Sequence, residues 1–201
     1  MARDISEPFP VQGQIGWLHR AIEAAGDTVA LLQAVAGIYE TAIASDFPAR
    51  AAVLTDTIAE EKPDVIGLQE VSKWTAVRLK GEGPDMVSVD FLTVLLDALA
   101  ERGLSYEVAT DGENEEIAKN ANIGPAPLLI ESKGCGVRSA TDFDCGGSLL
   151  DRDVVLVKAG SGLKVTKAVS GRFERQQTFD GGPLGEISFD RGWTYVNATY
   201  K

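Results

Sequence analysis

Pro63-Asp64-Val65-Ile66-Gly67-Leu68-Gln69-Glu70-Val71 is the stretch on which the reading of this chain turns. Pro63-Asp64 is a break. Val65 to Leu68 is a short apolar run bounded by polar residues, the signature of a buried strand. Glu70 stands at the carboxyl end of that strand, the end at which α/β sheets place their ligands. A carboxylate there is a hard oxygen donor, and magnesium often takes only one or two of them from the protein. The plainer reading of one glutamate after a strand is a solvated side chain.

Upstream, Trp17 to about Phe47 carries Ile22, Val29, Leu32, Val35, Ile38 and Ile43 at helical spacing. Gly26-Asp27 interrupts the run, with Asp27 as the N-cap of a new helix. A further helix begins at Pro48, a residue suited to the first helical turn, and ends near Lys62. Helix followed by buried strand predicts α/β layering. Downstream, Val89 to Arg102 reads as an amphipathic helix whose stripe of Phe91, Leu92, Val94, Leu95, Ala98 and Leu99 faces a core. Gly103 is its stop, and Ser105 to Ala109 alternates like a strand. Residues 110–149 are polar, acidic and glycine-rich without a period, so they read as a long surface excursion. The rest is β-rich, in Val154–Lys158, Val165–Val169, Arg172–Phe179 and Trp193–Tyr200, with glycine-containing breaks between. The last strand pattern runs up to Lys201 without a turn, so the chain reads as an incomplete domain.

The 201 residues, 44% hydrophobic and 24% charged, are ordinary for one globular domain with a sizeable core. No stretch approaches the roughly 18 to 20 uninterrupted apolar residues of a membrane helix. Met-Ala-Arg-Asp-Ile-Ser-Glu at the start has no signal-peptide pattern. A formal net charge of −11 argues against non-specific nucleic-acid binding, which needs a basic face. It leaves room for a phosphate substrate, because a bound cation locally reverses the field. Cys135 and Cys145 are either two free thiols or a loop-closing disulfide. A disulfide implies an oxidising compartment, of which the secretory route is one. The pair has no histidine nearby with which to build a metal site.

The literal string from Pro63 to Glu70 resembles the first strong motif of the endonuclease/exonuclease/phosphatase superfamily: Pro-Asp, hydrophobic residues, then Leu-Gln-Glu. The helix Asp46-Phe47-Pro48-Ala49-Arg50-Ala51-Ala52 running to Ala59 is similar to the one that precedes it there. The resemblance implies a four-layer α/β/β/α sandwich of two mixed β-sheets, of which residues 1–201 supply part. It implies that Glu70 is a ligand of a catalytic Mg²⁺ or Mn²⁺, with Gln69 structural. Asp151, opening the strand Asp151-Arg152-Asp153-Val154-Val155-Leu156, takes the place of an acidic residue that orients a catalytic histidine in nuclease members. Read alone, it is a loop or cap carboxylate. Arg191, just before Trp193, takes the place of an arginine that contacts substrate phosphate, to which a guanidinium fork is suited. Read alone, it is a surface arginine.

The implied activity of the intact parent is metal-dependent hydrolysis of a phosphodiester or phosphomonoester. Nucleic acid, phospholipid and inositol phosphate are not distinguished, because specificity lies in loops. The pattern is incomplete. The family's early Asn, the His after the strand at Trp193, the Asp-x-Asn pair and the final Asp-His pair have no match. The single histidine, His19, lies in a helical stretch and fits no family motif. One metal carboxylate without its histidines cannot position water and protonate a leaving oxygen together, so this chain is expected to be inactive. The rival is a non-catalytic protein-interaction domain on the same scaffold, using the acidic surface and the 110–149 stretch. Strand edges left open by an incomplete domain predict self-association.

Overall fold

The computed structural model describes residues 27–110, 117–139, 141–180 and 186–200. Helix α1 spans Thr28–Ala44 and starts where the sequence places it. The Asp27 carboxylate accepts hydrogen bonds from the amides of Val29 and Ala30 at 3.0 and 3.2 Å, satisfying amides that have no partner within the helix. Helix α2, Phe47–Glu61, is capped by Asp46, carries its proline in the first turn and stops at Lys62 in a left-handed conformation. The part of the first expected helix before residue 27 lies outside the described residues, as does His19. Helix α3, Phe91–Glu101, begins two residues later than the apolar stripe suggests. The Asp90 side chain caps it, and Val89–Asp90 forms the short strand β3 instead. Gly103 closes it at φ 71°, a conformation open to glycine at no steric cost.

One long strand organises the rest. Strand β8, Cys145–Lys158, is 14 residues long. Along one edge it pairs with β1 (Val65–Leu68) and β2 (Lys73–Arg78). It also pairs with β4 (Tyr106–Val108) and β5 (Ile117–Pro127), while β3 adds to β2. Strands β6 (Val137–Ser139) and β7 (Asp142–Phe143) form a small hairpin, and so do β10 (Gln177–Asp180) and β11 (Glu186–Phe189). Strands β9 (Leu163–Arg172) and β12 (Gly192–Tyr200) form a ribbon that lies against β5 and β8. The architecture is thus mixed α/β, with three helices among the described residues.

Several readings of the sequence change. The expected sheets are mixed, whereas every pairing among the described residues is antiparallel. Parallel neighbours need a crossover of a dozen or more residues, and β1 and β2 instead follow one another along the same edge of β8. The 110–149 stretch is not a surface excursion: it holds β5, β6, β7 and the first residues of β8. Its glycines hid the pattern because they face close neighbours. A Cβ on Gly147 would stand 2.7 Å from the Leu128 side chain. Strand β2 was not anticipated, because Trp74 and Ala76 point inward among polar and small residues too few to mark a period. Arg172–Phe179 is two strand ends, of β9 and β10, around a turn.

Leu95 and Leu99 of α3 share a core with Val154 and Leu156 of β8, all at most 2% exposed. Stacked rings of Phe47 and Phe91, with centroids 4.0 Å apart, fasten α2 to α3. Strand β1 is half-buried rather than buried: Ile66 and Leu68 pack on the core while Val65 and Gly67 are exposed. On the ribbon, the Trp193 ring lies over Gly171, where a Cβ would come within 2.6 Å of it. No single helix among the described residues is long and apolar enough to cross a membrane.

Cys135 and Cys145 form a disulfide, both fully buried. It joins the turn after β5 to the first residue of β8. Closing a loop of this size removes unfolded-state entropy equivalent to about 2–3 kcal/mol. The double substitution Cys135→Ser with Cys145→Ser is expected to lower stability by about that amount. Urea denaturation with and without reductant measures it: the wild type loses stability on reduction and the double variant does not respond.

Candidate functional site

The site is built on a mismatch. Leu68 faces Val154 and Lys73 faces Leu150, so four residues, Gln69 to Ser72, span the same length of sheet as three, Asp151 to Asp153. The extra residue makes a β-bulge, a device that re-aims a side chain and recurs beside active sites. Glu70 carries the strain at φ 55°. The other non-glycine residues with positive φ among those described, Asp46 and Lys62, sit at helix ends. Glu70 alone of the three takes this conformation inside a sheet edge, where a bulky residue is an outlier.

The bulge is held by its neighbours on β8. The Val71 amide donates to the Arg152 carbonyl at 2.8 Å, and the Glu70 amide donates to Asp153 Oδ1 at 3.3 Å. The Ser72 hydroxyl donates to Asp151 Oδ1 at 2.9 Å. These bonds turn the Glu70 side chain outward, where it is 64% exposed, whereas Asp151 is 6% exposed. Residue Arg191, just before β12, closes the arrangement. Its Nη1 donates to Glu70 Oε1 at 2.9 Å and lies 3.6 Å from Asp151 Oδ2. The ribbon is anchored beside it by the Thr194 hydroxyl, which donates to the Asp153 carbonyl at 3.1 Å.

Glu70, Asp151 and Arg191 are therefore brought together, although Glu70 and Arg191 lie 121 positions apart in the chain. Two carboxylates converge on one cationic nitrogen. That is the environment a hard divalent cation shares with a guanidinium: oxygen donors, negative charge and solvent access on one side. The donor set is small. Among the described residues no group of three or more His, Cys, Asp or Glu side chains is arranged to hold a metal. A cation here would have two carboxylates and otherwise water, a coordination magnesium accepts.

Behind the bulge lies a second network. Successive strand residues alternate in direction, and Arg152 points away from Asp151 and Asp153. Its Nε donates to the Val71 carbonyl at 3.0 Å, and its Nη1 and Nη2 both bind the Asp90 carboxylate. Asp90 in turn caps α3 through the amides of Leu92 and Thr93. Burial alone would raise the Asp90 pKa, but the Arg152 guanidinium and the two helix amides outweigh it and hold the carboxyl below its ordinary value of 3.8.

Four residues of the site escaped the sequence reading: Ser72, Asp90, Arg152 and Asp153. A signal existed for two of them. Aspartates two apart on a strand share a face, which marks Asp153 beside Asp151. A charged residue beside the apolar run Val154–Val157 needs a buried partner if it faces inward, which marks Arg152. Nothing local identifies Ser72 or Asp90 as members of the site. Comparison with family models, curated proteins and solved structures finds no match to this chain. The superfamily resemblance therefore rests on the residues quoted for it.

Two outcomes are expected. Glu70→Gly, which relieves the left-handed strain, is more stable than Glu70→Ala by about 1 kcal/mol in urea denaturation; the reverse order would remove the bulge argument. Because the folded-state pKa of Asp90 is depressed, its contribution to stability is complete above its ordinary value of 3.8 and is lost as pH falls through the folded value. The wild type should therefore lose more stability between pH 5 and pH 2.5, roughly the window for such a carboxylate, than Asp90→Asn does. Parallel curves for the two proteins would contradict this.

Proposed function

We propose that this chain carries the cation- and phosphate-binding half of a metal-dependent phosphoesterase site of the endonuclease/exonuclease/phosphatase type. The observation that carries the reading is the convergence of Glu70, Asp151 and Arg191 on one point beside the end of β1. Glu70 and the two partners expected for it, Asp151 and Arg191, meet in space although they are far apart in sequence. In this reading Glu70 and Asp151 hold Mg²⁺ or Mn²⁺. The cation, when bound, neutralises phosphoryl charge and lowers the pKa of a coordinated water. Arg191 offers a planar fork to the phosphate oxygens, and Ser72 fixes the Asp151 carboxylate that both depend on. With a net charge of −11, a bound cation would favour the approach of a phosphate.

The substrate of the parent is a phosphodiester or phosphomonoester, in nucleic acid, phospholipid or inositol phosphate. The architecture in this reading is part of a four-layer α/β/β/α sandwich. The helices supply one outer layer, and the β8 sheet and the β9/β12 ribbon supply the inner ones. The packing of the ribbon on β5 and β8 supports it. No proton-transfer residue is assigned: the single histidine, His19, is distant in sequence from the site and matches no motif. Binding without turnover is the expected behaviour of this chain.

Titration with Mn²⁺, followed by electron paramagnetic resonance, tests the reading. The wild type binds, and Glu70→Ala loses at least about tenfold in affinity, the loss of one of two charged ligands. Arg191→Ala binds Mn²⁺ more tightly, by up to about fivefold, because the exposed ion pair it removes is worth no more than about 1 kcal/mol. Hydrolysis of a generic phosphodiester and of DNA with Mg²⁺ is absent in all three proteins. A wild type that ignores Mn²⁺, with stability unchanged in Glu70→Ala, would replace this reading by that of a non-catalytic protein-interaction domain.

A further inference from the structure

We propose that the half-buried Asp90–Arg152 pair is the positioning device of the Glu70 site: it touches no ligand but sets the bulge from which Glu70 projects. The inference rests on the cation-binding reading above and extends it to residues that lie on the far side of the sheet.

The geometry is specific. A bulge keeps its place when the residues beside its extra residue are pinned. Val71, next to Glu70, is held by two bonds to the same residue. The Val71 amide donates to the Arg152 carbonyl, and the Arg152 Nε donates to the Val71 carbonyl. The other anchor is Ser72, whose carbonyl accepts from the Phe91 amide at 3.0 Å, in the first turn of α3. Asp90 connects the two anchors. It grips the guanidinium with both oxygens and caps the same first turn with Oδ1. Arg152 is 7% exposed, so its charge is sheltered from solvent and depends on this partner. The helix, the guanidinium and the bulge therefore move as one body. On the site face, Asp151 and Asp153 flank Arg152 in sequence and hold Ser72 and the Glu70 amide. The tripeptide Asp151-Arg152-Asp153 clamps the bulge from both faces of the sheet.

A planar fork is required. Lysine at 152 would keep the charge but could not chelate Asp90 and hold the Val71 carbonyl together. Partners that orient a metal ligand typically change affinity by about 10–100-fold when lost. Arg152→Lys is therefore expected to weaken Mn²⁺ binding at least about tenfold and to speed amide hydrogen exchange at Val71. Leu99→Ala, which damages the core of α3 away from the bulge, serves as the control for general destabilisation. It should leave the Mn²⁺ affinity of the folded protein and the relative protection of Val71 unchanged.

Several results would overturn the proposal. One is Arg152→Lys with wild-type Mn²⁺ affinity and wild-type Val71 exchange. Another is Leu99→Ala with the same loss of affinity as Arg152→Lys. If the wild type binds no Mn²⁺, the cation reading fails alone, and Val71 exchange still decides whether Arg152 positions the bulge. Should Arg152→Lys not fold, Asp90→Asn replaces it. This variant keeps the capping oxygen, removes the charge opposite Arg152, and is expected to shift both readouts in the same direction.

Discussion

Four residues on one strand edge cover the length of three on β8, and the structure around Glu70 follows from that mismatch. Without the extra residue, β1 and β2 would be one straight strand and residue 70 would lie in the ladder. With it, the chain bends, one residue enters the left-handed region, and a carboxylate leaves the sheet toward solvent. Strain of this kind persists only where the surroundings over-determine it. Here they do. Val71, Ser72 and the Glu70 amide each bond to the three β8 residues opposite or to the head of α3.

The electrostatics follow from the same geometry. Asp151 and Asp153 face one way and Arg152 the other, so charges adjacent in sequence are separated by the sheet. On the buried side, Arg152 is neutralised by Asp90, and the helix cap adds two amides to the carboxylate. On the open side, two carboxylates meet one guanidinium that belongs to the ribbon. The inner pair is fixed, because breaking it strands the buried Arg152 charge without a partner. The open pair is weak and exchangeable, because water and salt compete with it. A rigid support beneath an exchangeable ion pair is the arrangement that the proposed binding centre would use.

Much of the scaffold was legible from local chemistry. Asp27, Asp46 with Pro48, and Gly103 mark helix ends, because capping is an interaction among neighbours in sequence. The strand at Val65–Leu68 and the strand from Trp193 stand out by composition. Strand β2 and the strands within 110–149 did not, since β2 turns only Trp74 and Ala76 inward and β8 opens on Cys145 and Gly146, small residues with little hydrophobic contrast. Such residues pack by closeness to particular neighbours rather than by hydrophobic contrast. The disulfide was legible only as one of two alternatives. A separation of ten positions permits a bridge, and the antiparallel return of the chain to β8 supplies it.

Sequence alone determined the carboxylate at the end of β1, its preceding helix, and a short set of polar positions worth following: Asp151 and Arg191. These depend on local patterns that a linear string displays. Tertiary structure decided that the three positions meet, that Glu70 stands on a bulge, and that Asp90 and Arg152 support it from behind. Register is a property of two strands together, and one residue more on either would move every facing partner. No single segment carries that information, so only the pairing with β8 could place the site.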